Sequence, residues 1–116
     1  MRVKLMAFLT KRADMSRDDF KRWYEAHHVP NILTVMPGII EYRRNFMPET
    51  VAGVDVVTEI IFPDQRTFDS AMAVANRSPA SDVIAEDQKI LFDPSGIHIF
   101  VVDEQGGPVG VATPVS

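Results

Sequence analysis

The chain reads as an α+β domain in which four antiparallel strands form one sheet with helices on a single face. Three observations lead there. Apolar periodicity falls into the order βαββαβ, with the second helix split in two, and that is the ferredoxin-like order. A length of 116 residues, 46% hydrophobic and 24% charged, suits one domain that can bury a core. The first and last strands are apolar in both parities: Val3, Leu5, Ala7 and Leu9 against Met6 and Phe8, and Ile97, Ile99 and Val101 against Phe100 and Val102. A sheet covered on one side only should alternate cleanly. A second cover is therefore expected, most simply the sheet of another copy, which makes the assembly a homodimer.

Residues 3–10 form an almost wholly apolar run that meets Lys11-Arg12-Ala13-Asp14, a buried strand entering a turn. A helix start follows, with Ser16 as cap, Asp19 three residues on, and Met15 and Phe20 placed for a hydrophobic staple. The helix is expected over residues 17–28, because Pro30 disfavours helical geometry at Val29. At about 100° per residue, Phe20, Trp23, Tyr24 and His27 share one face. His27 should then project toward the core, with His28 at the edge of that face beside Tyr24. Residues 39–47 and 54–62 read as the next two strands, joined by a connection containing Pro48 and Gly53. Asp64 can cap a second helix whose apolar positions are Phe68, Ala71, Met72 and Ala75. Ser78 and Pro79 restart a helix as cap and first residue, with Val83, Ile84 and Leu91 inward. Residues 97–103 are the last strand. The domain is thus expected over 1–104, and 105–116 form a tail that is loose or laid on a neighbour.

Composition excludes several classes of function. Twelve basic residues against 16 acidic ones give a net charge of −4, and the basic ones are scattered, so no phosphate-binding footprint suggests nucleic acid. With no cysteine, disulfides, thiolate catalysis and Cys-ligated metal are ruled out. No long apolar run suggests a signal peptide or a membrane span, which leaves a soluble cytoplasmic protein as the expectation. Neither a Gly-x-Ser-x-Gly elbow nor a glycine-rich phosphate loop is present, and no cofactor is expected. Adjacent histidines diverge on a helix and no His-x-x-x-His spacing accompanies them, so no metal is expected either.

Two of the three histidines, His27 and His28, stand together at the expected helix end. Histidine titrates near neutral pH, which suits it to proton transfer. A histidine near a helix C-terminus is also favoured by the macrodipole alone. Tyr42 and Asn45 fall in opposite parities of one strand, so at most one of them can share a pocket with the histidines. His98 lies in the last strand, and Asp55 and Glu59 in the third strand could orient a histidine. Trp23, Tyr24, Phe8, Phe46 and Met72 would line a flat apolar cavity if the helices stand off the sheet, although packing alone would ask for the same residues.

The run Phe20-Lys21-Arg22-Trp23-Tyr24-Glu25-Ala26-His27-His28-Val29-Pro30, then Pro37-Gly38, Tyr42 and Asn45, resembles the signature of the EthD-domain family. In that family an aromatic-rich first helix ends in a His-x-Pro element, and a Pro-Gly pair opens a strand bearing Tyr and Asn. The likeness covers roughly residues 3–103, with Val102-Asp103-Glu104 resembling the end of the last strand. It implies a small dimeric α/β barrel and selects His28 over His27. The family includes dehydratases, isomerases and accessory proteins of ether degradation. The resemblance therefore implies a cofactor-independent enzyme moving protons on a small cyclic or aromatic substrate, in natural-product synthesis or aromatic catabolism. His28 would take or return the proton while Tyr42 or His98 steadies an oxygen. The alternative is a non-catalytic binding or accessory protein using the same apolar pocket.

Overall fold

Four strands build the sheet of the computed structural model, which describes residues 1–110. They are β1 (Val3–Lys11), β2 (Glu41–Val51), β3 (Val54–Phe62) and β4 (Phe92–Val102). Their order is β2-β3-β1-β4, with every neighbouring pair antiparallel. This is the expected α+β, ferredoxin-like arrangement. Leu5, Ala7 and Leu9 of β1 are buried beneath the helices, whereas Met6 and Phe8 point to the other face and are half-buried. β2 runs past residue 47 through Pro48, tolerated because β2 is an edge strand that can spare an N–H. β4 begins at Phe92 rather than 97, because Phe92 pairs with Lys11 beyond a shift in register. Gly96 lies inside this irregularity, where a Cβ would stand 2.2 Å from Thr10 Oγ1.

The first helix departs from expectation. α1 (Arg17–Trp23) passes into a π-helical turn (Tyr24–His28) and on into α2 (Val29–Val35), so the helix does not stop at His28. Ser16 caps it, accepting from the Asp19 N–H at 3.1 Å. In the π turn the Val29 N–H donates to the Tyr24 carbonyl five residues back. Pro30 thereby falls in the first turn of a new α-helical segment, where a missing N–H costs little.

α3 (Gln65–Ala75) is capped by Asp64, which accepts from the Thr67 N–H at 2.7 Å. α4 (Ala80–Leu91) starts after Pro79, which itself occupies the cap position, so the expected Ser78 cap is not made.

The core has two parts. Val3, Leu5, Ile32, Val35, Ile60, Phe62, Ala71 and Ala80 form one, under α2 and α3. Ala7, Leu9, Phe20, Tyr24, Val29, Val56, Leu91 and Phe92 form the other, under α1 and the π turn. On the outer face Phe8 and Phe100 meet edge to face at 6.2 Å, and Lys4 bridges Glu59 and Glu104. On the helix side of β4, Ile99 and Val101 are 51% and 60% exposed. No helix among the described residues is long and apolar enough to cross a membrane. The expectation for tail residues 111–116 lies outside the described residues.

Candidate functional site

A π turn needs one residue more than an α turn to return to the same face. Tyr24 and His28 consequently align toward the sheet, and His27 is turned away. Tyr24 is 1% exposed and its hydroxyl bonds Thr58 Oγ1 of β3 at 2.7 Å. His28 packs edge-on to Tyr24 and Phe92, at ring separations of 4.8 and 5.7 Å. Its Nδ1 lies 2.9 Å from Asp87 Oδ2, and Asp87 is itself only 4% exposed. Asn31 Nδ2 donates to both oxygens of the same carboxylate, at 3.2 and 3.1 Å. A carboxylate in this position accepts an Nδ1 proton, which fixes the tautomer and leaves Nε2 as the acceptor. No fully buried side-chain nitrogen or oxygen among the described residues lacks a partner. Nε2 has none among the described residues, and His28 lines free space.

That space is a cavity of about 380 Å³ between sheet and helices. Leu5, Ala7 and Leu9 of β1 form its floor, and His28, Tyr24, Tyr42 and Thr58 supply polar groups along its wall. Met36, Met72, Ile84 and Phe92 add apolar surface, and Asn76, Ser81 and Gln88 also reach it. Burial pushes the His28 imidazole below the ordinary histidine range, with Asp87 opposing the shift. The ring is therefore neutral at neutral pH, with a carboxylate in place to stabilise it once it gains a proton. Burial also raises both tyrosines, Tyr42 strongly and further because Tyr24 lies beside it. Both remain protonated and can donate hydrogen bonds. Arg44 covers the far side of the Tyr42 ring at 4.9 Å and is clamped by Glu25 through two bonds of 2.8 and 2.7 Å.

Of the residues singled out from sequence, His28, Tyr24, Tyr42 and Met72 line this cavity and the others do not. His27 is exposed and stacks on Trp23 at 4.7 Å, outside the site, instead of projecting into the core. His98 is exposed and lies on the outer face, since it pairs with Phe8 and shares that residue's parity. Phe8 itself points to the outer face. Asn45 also faces outward, donating to Glu59 and to the Val57 carbonyl at 3.0 Å each. Phe46 packs against Phe20 and Tyr24 but stops short of the cavity.

Neither strand carboxylate orients the histidine. Asp55 binds Arg17, Thr50 and the Lys11 N–H, and Glu59 binds Lys4. Asp87, Asn31 and Thr58 were not singled out. Asp87 was detectable as an acidic residue on the inward face of α4, three residues after Ile84 and four before Leu91. Asn31 was hidden by the expectation that the helix ends before it. Among the described residues no group of three or more His, Asp or Glu side chains is gathered to hold a metal.

The family model described as the EthD domain matches residues 12–95. An EthD (ethyl tert-butyl ether D) family protein from Bacillus halodurans superposes with a TM-score of 0.67 at 16% identity, over 90% of this chain and 100% of that one. HapK from Hahella chejuensis gives 0.65 at 12% identity, over 97% and 100%. SnoaB, a cofactor-independent oxygenase from Streptomyces nogalater, gives 0.61 at 12% identity, over 91% and 95%. At these identities the likeness is one of fold. No protein of curated function matches the chain.

Proposed function

This chain belongs to the EthD-domain family, and on that premise we propose that it is an enzyme that moves protons on a small cyclic or aromatic molecule without a cofactor, in the manner of an isomerase, cyclase or dehydratase. The observation that supports the reading best is the Asp87–His28 pair set against an apolar cavity, with Nδ1 engaged and Nε2 free. A substrate carbonyl would accept from the Tyr42 hydroxyl, which burial keeps protonated. His28 Nε2 would take a proton from the adjacent carbon, leaving an enolate whose oxygen Tyr42 stabilises. Asp87, holding the Nδ1–H, would balance the imidazolium so formed. His28 then returns the proton to another carbon, or to a departing hydroxyl. A positioned base contributes roughly a hundred- to ten-thousand-fold, enough for a carbon acid already activated by its carbonyl. Such chemistry asks for an acid–base set in a dry pocket and nothing more. The existence of a cofactor-independent oxygenase on the same fold is consistent with this.

In this reading two copies pair through the outer face of the sheet, where Met6 and Phe8 are half-buried and Phe100 is 54% exposed.

The test is solvent deuterium exchange into β-tetralone, a cyclic ketone with labile α-protons, followed by NMR. Wild-type protein should accelerate exchange, and His28→Gln should remove roughly a hundredfold or more of that acceleration. Exchange undiminished in His28→Gln would rule out His28 as the base. Saturable binding of the ketone without accelerated exchange would favour the carrier or accessory reading over the enzyme.

A further inference from the structure

The cavity holds information about its ligand that the acid–base pair does not. None of its 19 lining residues is Lys, Arg, Asp or Glu. The nearby carboxylate, Asp87, sits behind His28 and would repel an anion. Arg44 lies outside the wall, behind the Tyr42 ring, and its charge is already matched by Glu25. An anionic group entering this space would lose its hydration with no cation to replace it.

The polar groups of the lining also fall into two sets. His28, Tyr24, Tyr42 and Thr58 belong to the π turn and the sheet, and the half-buried Gln88, next to Asp87 on α4, stands at the same end. Asn76 and Ser81 flank the α3–α4 connection, Asn76 exposed and Ser81 half-buried, so this second set stands at one opening of the cavity, apart from the one beside the exposed Ile99 of β4. Neither Asn76 nor Ser81 spends its side chain on a protein partner among the described residues. Ser81 is six residues before Asp87 on α4, which separates them along the helix axis by about 9 Å. Between the two sets the lining is Leu5, Ile32, Met36, Ile60, Met72 and Ile84, with no hydrogen-bonding side chain among them.

Resting on the reading given above, we infer that the ligand is uncharged and bears two oxygen functions separated by a flat apolar body about two helical turns long: one oxygen meets the His28–Tyr42 set and the other is held by Asn76 and Ser81 at their opening. Asn76 and Ser81 are thus specificity-determining residues, each offering a neutral donor and acceptor to a hydroxyl or carbonyl. A fused ring system oxygenated at both ends satisfies these demands. A carboxylic acid or phosphate ester of the same shape does not.

Calorimetric titration at pH 7 with three probes tests this. They are a naphthol, the dihydroxynaphthalene bearing one hydroxyl at each end, and the hydroxynaphthoic acid with a carboxylate in place of the second hydroxyl; phenols are neutral and the acid is ionised at that pH. The diol should bind about two- to tenfold tighter than the naphthol, the range expected for one added neutral hydrogen bond. The acid should bind at least tenfold more weakly than the diol. In the Asn76→Ala/Ser81→Ala double variant the diol should fall to the affinity of the naphthol. Equal binding of acid and diol, or a diol advantage that survives in the double variant, would overturn the inference. If the probe preferences hold while His28→Gln leaves ketone exchange untouched, the catalytic reading fails and the ligand inference stands. If none of the probes binds, the ligand inference fails, and ketone exchange alone decides the catalytic reading.

Discussion

At the scale of single residues the site turns on one carboxylate. Asp87 accepts from Asn31 and holds His28, so Asp87→Ala strands the buried His28 and the half-buried Asn31 at once. That variant should lose about 1–3 kcal/mol of stability, read by urea denaturation, and most of its exchange activity. His28→Ala should likewise destabilise, whereas His27→Ala, on the surface against Trp23, should stay within about 0.5 kcal/mol of wild type. This inverts the order that helical periodicity alone implies.

The pH dependence follows from the direction in which burial moves His28. Its folded value lies below the unfolded one of about 6.5, so between those two values the unfolded chain binds more protons. The contribution to stability is therefore complete above about 6.5 and is lost as pH falls through that value to the lowered one. Exchange activity should decline over the same acid range, with an apparent pKa below 6.5, because the base must be neutral. An acid limb centred above 6.5 would contradict the assignment. Much at this scale was legible beforehand, since Tyr24, His28, Tyr42 and Met72 all reach the cavity. Asp87 was not, because its partner is 59 positions away and no local pattern joins the two.

At the scale of elements, the order and type of the strands were readable from apolar runs, and the caps at Ser16 and Asp64 from side-chain chemistry. The error at Pro30 has a definite cause. A proline rule treats the helix as one uniform ladder, and here a π turn resets the ladder so that Pro30 opens a segment instead of breaking one. Its effect on the site is large, because one extra residue in the turn decides which histidine faces inward and carries Asn31 onto Asp87. The ends of β4 were missed for a different reason. Residues 92–96 contain Asp93, Pro94, Ser95 and Gly96, which look like a loop, yet Phe92 still pairs with Lys11. Gly96 makes that possible by yielding space to Thr10. Gly96→Ala should cost about 1–3 kcal/mol through overpacking. Adding Thr10→Gly should recover part of the loss in thermal melts, and no recovery would mean that the strain lies elsewhere.

At the scale of the whole molecule the sheet has helices on one side only, and the other side displays Phe8, Phe100, Met6 and Val102 beside the Lys4–Glu59 pair. A face of this kind in an isolated chain invites a second copy. Sedimentation at micromolar concentration should return twice the chain mass, with an interface on the order of 2,000 Å² or more, and Phe100→Lys should shift the protein toward monomer. A folded monomer as the main wild-type species would refute pairing through this face. The two-sided apolar strands made the apolar outer face legible in the sequence, although they could not say which side the histidines would occupy. The strand order has a temporal consequence as well. β4, the last of the four strands in chain order, pairs with β1, the first of them, and α4, which precedes β4, carries the Asp87 that must find His28. Closing contacts so distant in sequence is slow relative to forming local helices. During refolding, helical circular dichroism should therefore recover before the capacity to exchange protons, and catalytic competence becomes a clock for the final step of the chain's own assembly.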